Sequence, residues 1–299
     1  MNVIVFGGSG FLGSHVADAL AAAGHVVTVY DIRPSKWLNG NQRFVLGDIL
    51  DEATVGRHVA GQEVVYNFAG LTDLDEAQSR PLDTIKLNVL GNTVLLEAAR
   101  GAGIQRYVFA STIYVYGEAG GFYRCSKQAC ELYVEEYGRR YGLDYTILRY
   151  GTLYGRRADG RNSVHRYLRQ ALRDRRICAQ GTGDELREYI HVNDAARLSV
   201  QVLAGEYRNE NVVITGHHPM RFRDLLTMIQ EIVGKDVAIE LTQPPASPAP
   251  LAHYSLTPYS FQPKIGKKLV NHYYHDMGQG LIDCLAEVYQ DLQGTDPPC

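Results

Sequence analysis

A glycine-rich turn follows the first apolar run of the chain and limits the folds that the chain can adopt. The run Val3–Phe6 reads as a buried strand, and it leads into Gly7-Gly8-Ser9-Gly10-Phe11-Leu12-Gly13 and then into a helical pattern. Glycines at this spacing permit a tight turn, close backbone approach to a pyrophosphate, and close packing of helix on strand. The start of the helix offers free N–H groups and a positive dipole end to phosphates. This context favours a dinucleotide-binding turn over a turn that binds nothing. The candidate contact residues are Gly7, Gly10, Phe11, Leu12 and Gly13.

Short apolar runs alternate with helical patterns through the first half of the chain. The runs predicted as buried strands are rich in β-branched and aromatic residues; they are Val3–Phe6, Val26–Tyr30, Phe44–Leu46, Val64–Phe68, Tyr107–Ala110 and Tyr145–Leu148. The helical segments between them are Gly13–Ala23, Leu82–Arg100 and Lys127–Tyr141. This alternation is typical of the α/β class, and it predicts a Rossmann-type, doubly wound parallel sheet with helices on both faces.

The second half of the chain is less regular. We predict helices at Asn162–Arg173, Asp194–Leu203, Arg221–Val233 and Gly280–Leu292, strands at Val212–Thr215 and Val237–Leu241, and a loop at Gln243–Pro250. We therefore expect a dinucleotide-binding Rossmann domain at residues 1–150 that also receives segments near 186–205. Residues 151–299 are expected to form mainly a smaller, substrate-binding α/β part.

Composition excludes several classes of protein. The chain has 299 residues, with 30 basic and 33 acidic side chains and a net charge of −3, so no nucleic-acid partner is expected. Neither a run of about 20 apolar residues nor a signal-peptide pattern is present, so no membrane partner is expected. The five cysteines are scattered and lack C-x-x-C spacing. We therefore expect no disulfide framework and no metal site, and we expect a cytoplasmic protein.

The acidic residues after the second and third predicted strands bear on the choice of dinucleotide. Asp31 lies 18 residues after Gly13, where a carboxylate accepts from ribose hydroxyls and repels a 2′-phosphate. This favours NAD over NADP, although Arg33 could neutralise such a phosphate. Asp48, followed by Ile49, is a candidate for the adenine amino group, and a helix N-cap is an equally good interpretation of it.

A tyrosine and a lysine lie four residues apart in Tyr123-Arg124-Cys125-Ser126-Lys127. On a helix this spacing places both side chains on one face. A nearby ammonium favours the phenolate, so Tyr123 could act as a base nearer neutral pH. Thr112 ends the preceding strand at the carboxyl edge of the sheet, where ligands bind in open α/β folds. Its hydroxyl could share a substrate oxygen with Tyr123.

These motifs, with others, resemble those of the extended short-chain dehydrogenase/reductases that act on nucleotide sugars, the NAD-dependent epimerase/dehydratase family. The resemblance is strong over residues 1–203 and weaker beyond. Besides the glycine turn and the Tyr–Lys pair, it rests on Asn67-Phe68-Ala69-Gly70-Leu71, Asn88-Val89-Leu90-Gly91-Asn92, Ser111-Thr112-Ile113-Tyr114-Val115-Tyr116-Gly117, Leu148-Arg149-Tyr150-Gly151-Thr152-Leu153-Tyr154-Gly155 and Arg187-Glu188-Tyr189-Ile190-His191-Val192.

The resemblance implies roles for individual residues. Thr112, Tyr123 and Lys127 would form the catalytic set, with Tyr123 taking a proton from a sugar hydroxyl and Lys127 also binding the nicotinamide ribose. Arg187 would grip the diphosphate of a nucleotide-diphosphate sugar. Further cofactor contacts would come from Ile49, Phe68, Ala69, Gly70, Asn88 and Tyr150. Further substrate contacts would come from Thr72 and Thr152. Members of the family commonly pair through the helices at 82–100 and 127–141, which implies a homodimer.

Departures from the family pattern narrow the reaction. Ile113 and Tyr114 occupy the positions where the dehydratases, and commonly the decarboxylases, carry carboxyl groups, and neither side chain can do that acid–base work. We therefore expect oxidation at C4 by NAD, with a nucleotide-sugar 4-epimerase as the first hypothesis. A net 4-dehydrogenase or 4-ketoreductase is the alternative, and a non-catalytic dinucleotide-binding sensor is a second one. The interval from Thr112 to Tyr123 is also short for the family. Polysaccharide biosynthesis is an expectation for the family as a whole.

The remaining signals are weaker. Eight arginines lie within residues 156–176; they could attract a diphosphate, but a solvated helix face explains most of them better. His165 and His191 are expected to pack or hydrogen-bond rather than act as bases. The aromatic segment 253–259 is expected to line the substrate pocket.

Overall fold

A single parallel sheet of eight strands organises the fold. The computed structural model describes residues 1–242, 267–270 and 273–295. In spatial order the strands of this sheet are β14 (Lys267–Lys268), β11 (Glu210–Ile214), β6 (Tyr145–Tyr150), β5 (Arg106–Thr112), β4 (Val64–Asn67), β1 (Asn2–Phe6), β2 (Val26–Asp31) and β3 (Gln42–Leu46). All seven neighbouring pairs of this sheet are parallel. The chain runs outward from β1 in both directions, so the doubly wound prediction is confirmed.

Helices cover both faces of this sheet, and others surround a second core. Within the described residues the helices are α1 (Phe11–Ala22), α2 (Glu52–Val59), α3 (Leu74–Ser79), α4 (Pro81–Thr84), α5 (Gly91–Ala102), α6 (Gly121–Tyr141), α7 (Ser163–Asp174), α8 (Val192–Gln201), α9 (Phe222–Val233) and α10 (Met277–Thr295). Alternate residues of β1 point to opposite faces. Val3 and Val5 pack with α1 and α8, whereas Ile4 and Phe6 pack with α2, α5 and α6. None of the described helices combines the length and the apolar character needed to cross a membrane.

A second core lies beyond residue 150. Helices α7, α9 and α10 enclose it around Leu168, Phe222, Leu225 and Leu281. Three two-stranded ladders accompany it, namely β7 (Thr152–Tyr154) with β10 (Tyr189–His191), β8 (Arg176–Gln180) with β13 (Ala238–Thr242), and β9 (Leu186–Arg187) with β12 (Met220–Arg221). This part therefore has its own apolar core while remaining joined to the large sheet through β11 and α8.

Most of the predicted elements are present, and one is corrected. Residues 82–100, predicted as a single helix, form the end of α4, a π-helical turn at Ile85–Leu90, and α5. The wider turn carries Asn88 into the interior, where it is 3% exposed. Helix α6 begins six residues before the predicted Lys127. The predictions for residues 243–250 and 253–259 lie outside the described residues.

Candidate active site

The glycine turn after β1 is shaped by contacts that leave no room for side chains. Gly7 has a φ of +73°, and a Cβ there would lie 2.7 Å from the backbone nitrogen of Ala69. A Cβ on Gly13 would lie 2.2 Å from the carbonyl oxygen of Gly7. The turns after β1 and β4 therefore touch each other, and α1 starts directly against its strand. This is the cradle that a pyrophosphate requires.

The first turn of α1 presents its amides to this cradle. Helix α1 begins at Phe11 with Gly10 as its N-cap, and no side chain within the described part of the chain caps it. Phe11 and Leu12 are half-buried, while Gly13 is buried. Uncapped N–H groups at a helix start bind anions. The turn therefore fits the diphosphate of NAD, which Gly10, Phe11 and Leu12 would hold through their backbone.

Asp31 is held at the end of β2 by one hydrogen bond from the glycine turn and one from the segment that follows β2. Its Oδ2 accepts from the backbone N–H of Ser9 at 3.0 Å, and its Oδ1 accepts from that of Arg33 at 3.1 Å. These bonds fix a negative charge beside the glycine turn. The position fits an adenosine ribose with free hydroxyls and opposes a 2′-phosphate.

Asp48 and Ile49, which follow β3, lie in different surroundings. Asp48 is exposed, and its Oδ1 accepts from the N–H of Leu50 at 2.9 Å. Its alternative interpretation as a helix N-cap is wrong, because Asp51 caps α2 by accepting from the N–H of Thr54. Ile49 is 6% exposed and packs so closely on α5 that a Cβ on Gly91 would lie 2.4 Å from its Cδ1.

Asn88 ties the turn after β4 to helix α6. Its Oδ1 accepts from the N–H of Leu71 at 2.7 Å, and its Nδ2 donates to the carbonyl of Leu71 at 3.0 Å and to the hydroxyl of Ser126 at 2.9 Å. Ser126 in turn donates to the carbonyl of Tyr123 at 2.7 Å. The hydrogen bonds of Asn88 therefore have a structural role. They fix the turn Phe68-Ala69-Gly70 against the helix that carries Tyr123 and Lys127.

The predicted catalytic set is brought together. The hydroxyls of Thr112, at the end of β5, and Tyr123, in the first turn of α6, share a hydrogen bond. Lys127 Nζ lies 5.8 Å from the centre of the Tyr123 ring and donates to the carbonyl of Ala110 at 2.7 Å. The strand and the helix thus place a hydroxyl, a phenol and an ammonium beside one another at the carboxyl edge of the sheet.

Burial sets the protonation of this group. Burial raises the pKa of Tyr123, and the hydrogen bond to Thr112 opposes that rise. Burial lowers the pKa of Lys127, whereas the thiol of Cys130 and the carboxylate of Glu131 act in the opposite direction. A phenol in these surroundings holds its proton until a further positive charge or hydrogen-bond donor is present.

The three predicted substrate contacts lie on loops and short strands around the same edge. Arg187 is 7% exposed, and its guanidinium lies 4.7 Å from the centre of the Phe222 ring. Thr152 is the first residue of β7 and is half-buried. Thr72 follows the turn after β4 and is exposed. Tyr150, predicted to contact the cofactor, shares its hydroxyl with that of Ser199 at 2.6 Å.

Two glycines hold the segment of Arg187 against the strand ends. A Cβ on Gly216, which follows β11, would lie 2.1 Å from the carbonyl oxygen of Tyr189. A Cβ on Gly151, which follows β6, would lie 3.2 Å from the carbonyl oxygen of Glu188. The backbone around Arg187 therefore packs directly on the carboxyl edge of the sheet. Glycine at these positions is a signal that sequence reasoning missed.

Apolar and aromatic side chains fill the two positions after Thr112. Ile113 is 1% exposed and packs with Tyr116 and Val213. The ring of Tyr114 meets that of Tyr123 edge-on, with 6.4 Å between centres. The short connection to α6 is built from a 3₁₀ turn at residues 113–116 and from two glycines. Gly120 and Gly121 adopt φ values of +96° and +49°.

The arginine-rich stretch is mainly a surface feature, as predicted. Several of its members are exposed and pair with carboxylates, namely Arg161 with Asp159, Arg173 with Asp174, Arg175 with Asp236 and Arg176 with Glu240. His191 caps α8 by accepting from the N–H of Asn193, and its ring stacks on that of His275 at 4.2 Å. His165 is 7% exposed and lies in α7.

The fold and this arrangement define a class: a Rossmann-fold enzyme with a dinucleotide cradle next to a Tyr–Lys pair. A family model described as the NAD dependent epimerase/dehydratase family matches residues 3–215. The chain belongs to this family, which confirms the resemblance read from its motifs, and its cofactor is NAD.

Individual relatives agree with this assignment. The chain is 31% identical over 261 residues to a dTDP-glucose 4,6-dehydratase of Streptomyces antibioticus, covering 78% of each protein. A crystal structure of UDP-glucose 4-epimerase from Thermotoga maritima with UDP-glucose has a TM-score of 0.81 and 27% identity, and the match covers 98% of this chain and 100% of that one. The UDP-glucose 4-epimerase of Thermus thermophilus in complex with NAD has a TM-score of 0.80 and 26% identity, with 97% and 99% covered.

Proposed function

We propose that this enzyme is an NAD-dependent 4-epimerase of a nucleotide-diphosphate sugar, with Thr112, Tyr123 and Lys127 as its catalytic residues. The observation that carries the proposal is the Thr112–Tyr123 hydrogen bond at the end of β5, beside a cradle that fits NAD. The similarity to epimerases crystallised with UDP-glucose or NAD supports it. The glycine turn and Asp31 hold the cofactor, and Phe68, Ala69, Gly70 and Tyr150 line its nicotinamide end.

The chain's own residues move the proton. Thr112 and Tyr123 bind the C4 oxygen of the sugar, and Tyr123 accepts its proton once the phenol is ionised. When bound, NAD supplies a reversible acceptor for the hydrogen at C4. The Lys127 ammonium favours the phenolate, because an opposite charge within a few ångströms stabilises an ionised group. Tyr123 returns the proton to the C4 oxygen when the C4 carbonyl is reduced on its opposite face.

Arg187 is our candidate for recognition of the nucleotide. A buried guanidinium forms strong, charge-assisted hydrogen bonds to phosphate oxygens. Its packing on Phe222 fixes the plane of the group. We assign Thr72 and Thr152 to the sugar and phosphate side of the same pocket. UDP-glucose, which the Thermotoga maritima epimerase structure contains, is the first substrate to test.

The absence of acidic side chains at Ile113 and Tyr114 separates this proposal from dehydration. Loss of water from a 4-keto sugar requires groups that protonate the leaving hydroxyl and remove a carbon-bound proton. A buried isoleucine and a tyrosine packed on Tyr123 cannot supply the carboxylates. We therefore do not propose for this enzyme the dehydratase activity of the Streptomyces antibioticus relative.

The test is to incubate the purified enzyme with UDP-, GDP-, dTDP- and CDP-sugars and to follow both the sugar by NMR and NADH by absorbance. Inversion at C4 without added cofactor is the expected result. Stoichiometric build-up of NADH and a 4-keto sugar would replace the epimerase with a net 4-dehydrogenase. Tight NAD binding without turnover of any of these sugars would point to the sensor.

We further propose that the enzyme forms a homodimer through α6 and the segment 82–102. Large apolar side chains on these helices are exposed in the single chain, namely Leu82, Ile85, Leu90, Leu132 and Tyr133. Contiguous exposed apolar surface marks interaction sites. Light scattering is expected to give the mass of two chains, and that of one chain for Leu132→Asp. We place the enzyme in the cytoplasm, in a pathway such as polysaccharide biosynthesis.

A further inference from the structure

A buried ion pair adjoins the three residues assigned to proton transfer. Glu131 lies on α6 one helical turn after Lys127, and Arg149 lies in β6. The side chain of Arg149 is 0% exposed and that of Glu131 is 2% exposed. Nε and Nη2 of Arg149 donate to Oε1 and Oε2 of Glu131 at 3.0 and 2.8 Å. The two charges therefore meet through two parallel bonds in the interior.

The pair is connected to the residues on either side of Thr112. Ser111, the preceding residue, donates its hydroxyl to Oε1 of Glu131 at 2.5 Å. Nη1 of Arg149 donates to the hydroxyl of Tyr116 at 2.6 Å. Tyr116 is the last residue of the 3₁₀ turn. Thr112 caps the start of this turn, because its hydroxyl accepts from the N–H of Tyr114. One ion pair thus joins the end of β5, the turn after it, β6 and α6.

Stability alone does not explain such a pair. Removing two charges from water costs several kcal/mol per ion, and apolar residues of similar volume are commonly as stable or more stable. What an arginine–carboxylate pair supplies, and apolar side chains do not, is a set of directional bonds in a fixed plane. Here those bonds fix the position of β5 relative to α6.

We propose that Glu131 and Arg149 are positioning residues, which hold the strand end with Thr112 in register with the helical face of Tyr123 and Lys127. This inference rests on the proposed function. The Thr112–Tyr123 hydrogen bond crosses from β5 to α6, so its geometry depends on what locks these elements together. Lys127 Nζ depends on the same register, because its acceptor is the carbonyl of Ala110 in β5.

The pair also sets the charge next to the proton-transfer group. The titratable groups that face Lys127 are Tyr123, Cys130 and Glu131 on its own helix, with Arg149 reaching it from β6 through Glu131. Loss of the carboxylate removes a negative charge and leaves the guanidinium uncompensated. The pKa values of both Tyr123 and Lys127 then fall, so the whole pH profile of kcat moves to lower pH.

The experiment compares variants that change geometry and charge separately. Glu131→Asp keeps the charge but shortens the reach, so kcat should fall on the order of 10- to 100-fold with an unmoved pH profile and an unchanged KM for the nucleotide sugar. Glu131→Gln should also shift the pH profile downward. Ser111→Ala, which leaves the ion pair intact, should lower kcat while the Tm stays near that of the wild type. Glu136→Gln, in an exposed pair on the same helix, is the matched control without effect.

The double variant Glu131→Leu/Arg149→Met separates positioning from packing. It should recover thermal stability and NAD binding while kcat stays low with an unshifted pH profile. Recovery of kcat together with the Tm would show that the pair serves packing only. Wild-type kcat in both Glu131→Asp and Ser111→Ala would also overturn the proposal, even if the double variant does not fold.

A readout without turnover separates this proposal from the proposed function. If the wild type inverts no sugar at C4, the proposed function fails. The Lys127 side chain can then still be titrated by NMR in lysine-labelled protein, with the signal assigned by Lys127→Met. A lower Lys127 pKa in Glu131→Gln than in Glu136→Gln supports the link, and equal values overturn it.

Discussion

The parts of the chain before and after residue 150 bring their polar groups to the site in different ways. In the first part, Asp31 and Thr112 each end a strand of one continuous parallel sheet. In the second part, Arg187 lies on a two-residue strand that pairs with Met220–Arg221 across a long stretch of sequence. The groups proposed for cofactor binding and chemistry thus lie on the most regular part of the fold. The group proposed for nucleotide recognition lies on a small ladder outside the large sheet. Sequence changes that alter substrate specificity there leave the sheet undisturbed.

Two buried arginines show the same difference. Arg149, in the large sheet, has its charge matched by Glu131, and it also donates to the hydroxyl of Tyr116. Arg187, outside that sheet, lies over an aromatic ring. Arginine both stacks on aromatic faces and recognises phosphate groups. We therefore expect substitutions in the two parts to affect kcat and KM differently.

The largest effect is expected in the first part, at the proton-transfer group. Tyr123→Phe removes the phenolic proton but keeps the ring, so kcat should fall by about 100- to 10,000-fold. NAD affinity measured by calorimetry should change little. Tyr289→Phe, at an exposed position on α10, is the control. Residual kcat above a few per cent in Tyr123→Phe would contradict the proposed mechanism.

Cofactor binding should respond next, through the glycine turn. An alanine at Gly13 meets backbone atoms at 2.2–3.0 Å, and forcing such a contact costs about 1–3 kcal/mol. This corresponds to roughly 10- to 100-fold weaker NAD binding. Gly101→Ala is the matched control, because a Cβ at Gly101 meets nothing within 4 Å. The control should be slightly more stable than the wild type, by about 0.4–1 kcal/mol. Equal NAD affinity of both variants would remove the turn from the cofactor site.

In the second part the effect should appear in KM. Arg187→Met keeps apolar contact with Phe222 and removes the charge, which is worth about 1.5–3 kcal/mol in a hydrogen bond to an ion. KM for the nucleotide sugar should rise about 10- to 100-fold with a smaller change in kcat. Arg173→Met, in an exposed pair with Asp174, should leave both values unchanged. A fall in kcat alone would place Arg187 with the chemistry instead.

The smallest expected effect is a loss of stability in acid that both parts share. Burial lowers the pKa of His15 and of His191 from 6.5 to about 4. The unfolded chain therefore takes up protons first as the pH falls. Stability is complete above about pH 6.5 and decreases towards pH 4. Each histidine contributes on the order of 3 kcal/mol at most.

Urea unfolding across this pH range tests the prediction. His191→Asn keeps a capping acceptor for α8 and loses the titration, so its free energy of unfolding should depend less steeply on pH than that of the wild type. Equal slopes for the two proteins would show that His191 is not the group responsible.

Sequence patterns predicted the first part well because its determinants are local. Each strand is a short apolar run, and the residues proposed for function at the sheet edge follow these runs within one or two positions, as Asp31 follows Val26–Tyr30. The roles of these residues stay predictions that the variants above test. The charged pair Glu131 and Arg149 escaped the same reasoning, because a charged residue is far more commonly exposed than buried and its partner lies 18 residues away.

The two corrections have different physical origins. The π-helical turn at Ile85–Leu90 keeps the apolar spacing of a helix, so periodicity alone did not separate it from α4 and α5. Asp48 and Asp51 both precede α2, and because the helix begins at Glu52, Asp51 is the one that reaches its free amides. The cap therefore depends on the first residue of the helix, which the local pattern did not define.

The amino-acid sequence by itself determined the class of the protein. Alternating apolar runs, a glycine turn after the first strand and an acidic residue after the second define a parallel sheet that binds NAD, because each of these signals acts over a few neighbouring residues. Only the tertiary structure decided that Asn88 joins the turn after β4 to α6, and that Glu131 and Arg149 lock α6 to the sheet. Burial is the physical reason: whether a polar side chain meets water or a partner depends on the packing of elements that are distant in sequence.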